Sequence, residues 1–482
     1  MISFLICLFA LIVGYFLYGT FVEKLFGIHP NNPTPAITQS DGIDYIVLPT
    51  WKIFMIQFLN IAGLGPIFGA IIGAKFGTAS YLWIVLGSIF AGAMHDYVSG
   101  MLSLRHGGET LPELIGRYLG ENAKLIMRIF TVLIMVLVGA VFVAGPAGIL
   151  ANMTPDFFNI NFWFVVIFVY YLLATLLPID KLIGNIYPLF AIVLLFMAIG
   201  ILTMFIIKQP ELPEFWDGLQ NRHPESIPIM PFMFISIACG AISGFHATQS
   251  PLMARCLKSE THAKPVFYGA MIVEGIVALI WAAAANYFYN EHGMGETNAF
   301  VVADSITKDW LGKTGAIIAL LGIVAAPITS GDTALRSARL IIADFLKLEQ
   351  RSIRKRLYIC IPLFLATMAV LIYSISNKDG FDIIWRYFAW TNQTLSVFTL
   401  WTITVYLTIK RKIYGIALLP ALFMTFVCSS YICIASEGLG LSANLSYTIG
   451  GICSAVGILW FWIWKIRYRR EHKEILQNKI IK

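Results

Sequence analysis

A histidine and an aspartate stand side by side at His95 and Asp96, inside a long apolar stretch. Such a pair suits proton transfer, because imidazole changes charge near neutral pH and a carboxylate in apolar surroundings is costly without a partner or a task. Consecutive helical residues point about 100° apart, so the two need not touch, and a structural tie between helices answers the same pattern. Glu274, isolated in another apolar stretch, poses the same choice. Ser243, His246 and Gln249 recur every third residue and share a face of any helix that carries them, which suits substrate contact, with His246 also suited to shuttling a proton. Thr329, Ser330, Asp332 and Thr333 gather hard oxygen donors just ahead of Arg336 and Arg339. That set suits a cation or a proton path, or else hydroxyls bonding back to their own helix carbonyls. Asn392 and Gln393 donate and accept at once; they suit a gate or, as we favour, an interhelical clamp.

The elements that position these groups follow from composition. The chain has 482 residues, 58% hydrophobic and 13% charged, with a mean hydropathy of +0.76, far from a water-soluble globule and typical of an integral membrane protein. A spanning helix needs about 20 mostly apolar residues. Runs near 2–22, 53–73, 80–104, 125–148, 162–178, 183–207, 230–254, 266–289, 315–338, 357–376, 384–409, 415–436 and 444–464 meet that need, predicting an all-α protein of about thirteen spans. They are too long and continuous for barrel strands. The first run has no basic residue ahead of it and no cleavage site after it, so it reads as a retained span. The seven cysteines lie in spans or at span ends, with no disulfide or zinc spacing, and no metal or cofactor is expected beyond a coupling proton or sodium ion.

Lys and Arg collect after the third, seventh, ninth and eleventh runs, at Arg105–Lys124, Arg255–Lys264, Lys347–Arg356 and Lys410–Lys412. Basic loops stay in the cytoplasm, which places the N-terminus outside and the tail 465–482 inside, with Lys75 out of place. The net charge of +7 is thus mostly topology. The basic tail also suits contact with anionic lipid headgroups; nothing in it points to nucleic acid.

Two spans are interrupted. One reads FLNIAGLGPIFGAIIG, with Gly63, Gly65 and Pro66; the other reads ISIACGAISGFHATQSPLMARC, with Gly240, Gly244 and Pro251. They lie five spans apart and run in opposite directions, which predicts an inverted five-plus-five repeat, each half opening with a discontinuous helix around a midplane substrate site. Close helix packing is the plain alternative for the glycines. The halves are 46–208 and 229–410, flanked by an N-terminal span and loop at 1–45, two further spans at 411–464 and the basic tail at 465–482. A half-helix starting at Pro66 exposes N–H donors and the positive end of its dipole, so a substrate carboxylate suits the space between the breaks.

Seven blocks carry a resemblance that covers nearly the whole chain: DGIDYIVLPTWKIF, IAGLGPIFG, LWIVLGSIFAGAMHDYVSGMLSLRHGGETLPE, CGAISGFHATQSP, YGAMIVEGIVALI, APITSGDTALRSARLIIADFL and WRYFAWTNQTLSVFTLW. With these the chain resembles the carbon starvation protein A family of bacterial transporters. The resemblance implies uptake of peptides or pyruvate across the cytoplasmic membrane, driven by a cation gradient, on a fold similar to the amino-acid/polyamine/organocation superfamily. In that superfamily a hydroxyl pair on the helix equivalent to 329–333 and carbonyls of the first broken helix hold sodium. The chain departs from the family pattern at Ile56 and Gln57, where paired histidines are usual, and in its shorter C-terminal end. Two other classes stay open: an intramembrane metal-dependent hydrolase using His95, Asp96 and Glu274, for which no HExxH or GxSxG pattern is present, and a channel.

Overall fold

Every one of the thirteen apolar runs coincides with a helical rod in the computed structural model, which describes residues 1–176, 183–294, 299–350, 352–377 and 380–480. In order these are α1 (Ile2–Phe26), the interrupted pair α2 (Thr50–Ile61) and α3 (Gly65–Ala74), α4 (Ala79–Arg105), the short α5 (Leu111–Leu119), α6 (Glu121–Met153), α7 (Ile160–Leu176) and α8 (Ile183–Lys208). There follow the second interrupted pair α9 (Ile229–Ser236) and α10 (Gly244–Ala254), then α11 (Glu260–His292), α12 (Ala299–Leu346), α13 (Ile353–Ser376), α14 (Gly380–Ile409), α15 (Gly415–Ile434) and α16 (Ala443–Ile480). No strand occurs among the described residues. The end of the fifth run, at 177–178, lies outside them.

By length and hydropathy nine of the helices qualify as membrane spans, or ten counting α2–α3 as one, among the described residues. The rods that fall short do so for visible reasons. α7 has 17 residues, α9–α10 is interrupted, and α14 carries Asn392 and Gln393 among repeated threonines.

The order of elements repeats. Each half starts with an interrupted rod, continues with a rod containing a π-helical turn (Gly87–Gly92 in α4, Lys264–Gly269 in α11), and places a short segment before its third rod. That segment is α5 in the first half and 299–311 in the second, where the chain turns at Gly312 with φ 66° before α12 resumes. α6 packs along α12, α2 along α8, and α15 and α16 form a pair beside α14.

The interruptions have local causes. Pro66 brings no N–H to the helix that starts there, and α2 and α3 meet at 53°. In the second rod a single 3-10 turn, Ala238–Gly240, follows α9, and Ser243 adopts extended angles (φ −147°, ψ 126°) before α10 begins at Gly244. The two breaks press on each other: a Cβ on Gly65 would lie 2.4 Å from Cys239 Cβ, and one on Gly240 would lie 3.8 Å from Pro66 Cα. At Gly65 only glycine admits that approach, whereas the separation of Gly240 from Pro66 is ordinary contact.

Loops gather at two ends. At one, Arg105 of α4 forks onto Glu260 (Nε–Oε1 3.0 Å, Nη2–Oε2 2.7 Å), and Lys412 Nζ donates to the carbonyls of Leu25 and Phe26 at the end of α1. At the other, Glu214 accepts from Ser3 N at 2.7 Å, and Arg222 Nη2 donates to Asn290 at 2.7 Å. The basic loops thus share one end, as their alternation along the chain requires.

Asp44, in the loop before α2, is buried at the basic end. Its Oδ1 accepts from Arg336 Nη1 at 3.1 Å, and both its oxygens lie 3.3 Å from Arg339 Nη2. Burial by itself would raise this carboxyl, but Arg339, Arg336 and Arg255 outweigh it and hold it below the usual carboxylate range. A depressed native value gives stability that is complete above the unfolded-chain value of about 3.9 and lost as pH falls through the native one. Asp44→Asn should therefore cost about 3 to 5 kcal/mol by withdrawing the carboxylate from two buried guanidinium groups. It should also flatten the fall in thermal midpoint below about pH 4, a result read by unfolding the purified protein in detergent across pH.

Candidate functional site

The first broken helix, the second broken helix and the two π-bulged rods converge on four buried titratable side chains. Asp96 on α4 stands at the centre. Its Oδ1 lies 2.8 Å from His95 Nδ1 and its Oδ2 lies 2.8 Å from His246 Nδ1 on α10. The other ring nitrogen of His246, Nε2, lies 3.4 Å from Glu274 Oε2 on α11. All four side chains are fully buried. His95 and Asp96, which as helix neighbours need not meet, do meet here: one carboxylate oxygen lies at the preceding ring while the other reaches α10. Glu274 has no hydrogen-bond partner among the described residues, and neither has His95 Nε2. The row joins α4 of the first half to α10 and α11 of the second.

Ser243, His246 and Gln249 do not share a helical face, because α10 starts only at Gly244 and Ser243 caps it in extended conformation. Their partners differ accordingly. Ser243 Oγ donates to Asn392 Oδ1 at 3.0 Å, His246 faces Asp96, and Gln249 Nε2 donates to Thr248 Oγ1 at 2.9 Å with its Oε1 left without a partner.

Asn392 and Gln393 on α14 hold the second break. Asn392 Oδ1 accepts from Phe245 N at 2.7 Å, closing one of the open donors at the start of α10. Asn392 Nδ2 lies 3.3 Å from Cys239 Sγ, and Gln393 Nε2 donates to Ile242 O at 2.7 Å. Gly244 is pinned in the same place: a Cβ there would lie 2.4 Å from Ser396 N and 2.5 Å from Asn392 O. Several of the backbone donors around the glycines are engaged in this conformation, Gly63 N to Ile61 O at 2.9 Å, Phe68 N to Leu64 O at 2.8 Å and Gly240 N to Ile237 O at 2.9 Å. Cys239 fills the space before Gly65, so a carboxylate reaches these donors only when the breaks part.

The hydroxyls of α12 bond mainly to their own helix. Thr329 Oγ1 reaches Ala325 O at 2.9 Å, and Thr333 Oγ1 reaches Thr329 O at 3.1 Å. Among these candidate-site hydroxyls Ser330 Oγ also reaches another helix, bridging from Ala326 O to Leu59 O of α2 at 3.1 Å, one turn before the first break. Asp332 Oδ2 accepts from Tyr170 OH at 3.0 Å and from Tyr187 OH. These two tyrosines carry no signal in the sequence, since aromatic residues are ordinary in apolar runs.

Two further groups were not singled out as site residues. Gln57 and Asn60 on α2 are fully buried, a turn or less before the break, and none of their four amide atoms has a hydrogen-bond partner among the described residues. An amide pair at i and i+3 inside an apolar run is a readable signal. At the end opposite the basic loops, a cavity of about 550 Å³ opens beside Lys75, Arg386 and Glu437. Phe68, Phe300 and Trp385 line its inner wall. Phe68 lies 4.2 Å from Phe300 and 6.1 Å from Trp385, and a file of rings continues through Phe388 to Phe142, whose ring lies 3.1 Å from where a Gly63 Cβ would stand.

Two halves, two broken helices in contact and a buried polar row across their seam define a membrane transporter of the broken-helix type. Solved structures share the fold at 14% identity. The Eremococcus coleocola manganese transporter matches with a TM-score of 0.57 over 90% of this chain and 99% of that one, and MhsT in complex with L-phenylalanine with 0.57 over 86% and 98%. The chain belongs to the family described as carbon starvation protein CstA, whose model matches residues 1–155, 148–307 and 297–430. Its relatives include an uncharacterized membrane protein of Haemophilus influenzae, 43% identical over 60% of this chain and 91% of that one. The peptide transporter CstA of Bacillus subtilis is 27% identical over 92% of each chain. The pyruvate/proton symporter BtsT of Escherichia coli is 26% identical over 66% of this chain and 55% of its own length. The chain is thus a transporter and not an enzyme.

The clamp yields a prediction. Asn392→Ala leaves the Phe245 N–H buried without an acceptor, at a cost of about 1 to 3 kcal/mol. The thermal midpoint in detergent should drop, and Cys239 should react faster with a small maleimide. Asn392→Asp, which keeps an oxygen in place, should retain most of the stability.

Proposed function

We propose that this protein imports a small carboxylated nutrient, a peptide or pyruvate, across the bacterial cytoplasmic membrane in symport with protons, and serves the cell when carbon is scarce. The observation that carries the reading is the row His95–Asp96–His246–Glu274, four buried titratable groups brought together across the seam between the halves. Two carboxylates and two imidazoles are neutral together only when they hold two protons more than the fully deprotonated set. Uncompensated charge at such depth is expensive, so the proton count has to follow the geometry. Parting α4 from α10 separates Asp96 from His246 and makes the row exchange a proton with whichever side is open. The relatives named as a peptide transporter and a pyruvate/proton symporter support the substrate and the coupling.

In this reading residues 46–208 and 229–410 are the two repeats, the N-terminus faces outward and the basic end faces the cytoplasm. The substrate lies between the breaks, its carboxylate toward Gly63, Gly65, Pro66, Gly240 and Gly244, the remainder toward Ser243, His246 and Gln249. The amides of Gln57 and Asn60 supply the polar partners that nothing in the closed protein takes up. A second reading, sodium coupling, rests on Ser330, whose hydroxyl already spans from α12 to the Leu59 carbonyl beside the first break.

Uptake by proteoliposomes tests both, using pyruvate, lactate, dipeptides and tripeptides at varied pH and sodium. An inward proton gradient should drive saturable accumulation without sodium, and Asp96→Asn and Glu274→Gln should lose accumulation while still exchanging internal for external substrate. Sodium-driven accumulation at constant pH, untouched by Asp96→Asn, would transfer the coupling to Ser330. A cysteine placed at Asn159 should label from outside in intact cells, and one at Lys412 only after permeabilisation; the reverse pattern would overturn the inverted-repeat reading.

A further inference from the structure

The two spans after the second half, α15 and α16, contribute no side chain to the row, yet with the loop that joins them to α14 they enclose a cluster of five cations. Residues 408–414 and 465–470 surround a cleft of about 770 Å³ lined by Arg411, Lys412, Lys465, Arg469 and Arg470, with no acidic residue among the described lining residues. We propose that this cleft binds the phosphate headgroup of an anionic phospholipid.

The site is built rather than a scatter of surface cations. Lys465 is buried, 6% exposed, and its Nζ is held 2.7 Å from Tyr414 OH between the rings of Tyr414, at 4.2 Å, and Trp462, at 4.8 Å. A hydroxyl and two ring faces orient an ammonium without neutralising it. Lys412 is fixed from the other side by the carbonyls of Leu25 and Phe26; burial, with Arg105 and Lys410 nearby, holds its ammonium below the usual lysine range.

Two observations select a lipid over a soluble anion. Trp460, Trp462 and Trp464 stand on α16 within a turn or so of Lys465, and tryptophans mark the level where headgroups meet hydrocarbon. From the same loop, starting at Ile413, an apolar groove of about 540 Å³ runs between α15 and α4, lined by Leu419, Phe423, Leu86 and Phe90, a bed for an acyl chain. Basic pockets between spans on the cytoplasmic side have this preference for anionic headgroups.

The test uses the full chain purified in detergent, titrated with phosphatidylglycerol, phosphatidylcholine or inorganic phosphate, with the thermal midpoint and native mass spectrometry as readouts. Phosphatidylglycerol should raise the midpoint and remain bound in the mass spectrum, while the other two should not. Arg469→Ala with Arg470→Ala, both exposed, should leave the lipid-free midpoint unchanged and weaken phosphatidylglycerol about thirtyfold, two headgroup contacts' worth. Lys465→Met, which keeps the apolar stem, should weaken it as well. An equal shift with phosphatidylcholine, an equal shift with inorganic phosphate, or unchanged lipid occupancy in the double variant would each overturn the assignment.

Discussion

Hydrocarbon offers no hydrogen bond, so each interruption of a helix inside it must be closed by protein. Here the closure is mutual. The break at Gly63–Pro66 and the break at Ala238–Ser243 lie against each other, Gly65 on Cys239 at glycine distance and Gly240 near Pro66, and a third element, α14, reaches in with two amides to take up the donors and acceptors the second break leaves open. The rest of the architecture serves that meeting. α6 and α12 brace one another behind it, and the basic end ties α1, α4 and the 255–263 loop together through Arg105, Glu260 and Lys412.

The molecule keeps two kinds of buried charge apart. At the basic end Asp44 meets Arg336 and Arg339, and because guanidinium does not give up its proton, that junction has one charge state at any physiological pH. In the middle, His95, Asp96, His246 and Glu274 include no permanent charge at all. A fixed junction suits a hinge or a lock; a set made only of titratable groups suits a site whose charge is meant to change. The tyrosine pair on Asp332 is intermediate, since two phenol donors steady a carboxylate without binding it to a cation.

Much of this was legible in the residues. Thirteen apolar runs mark the rods, the loop cations sort the ends, and glycine with proline at matched positions marks the breaks. His95, Asp96, His246 and Glu274 stand out one by one because each is costly in lipid, but nothing in the order of residues says that they touch: that depends on how α4, α10 and α11 rotate about their axes. The same limit explains Ser243. Regular spacing promised one face with His246 and Gln249, and an extended residue before Gly244 removed it, since a break resets helical phase. Tyr170 and Tyr187 escaped because a hydroxyl on a ring looks apolar until its partner is known. Asn60 was readable and passed over, being neither ionisable nor beside a glycine.

The file of rings from Phe300 and Phe68 through Trp385 and Phe388 to Phe142 bears on leakage more than on affinity. Protons travel along connected water, and in the proton-coupled reading proposed above a wetted route from the cavity opposite the basic loops to the titratable row would short-circuit the gradient across the membrane even with no nutrient aboard. Aromatic rings offer no oxygen for such a thread of water to hop along. The aromatic stack is then the insulation of the device, and its thickness, several rings rather than one, sets how thoroughly an idle protein holds back the current.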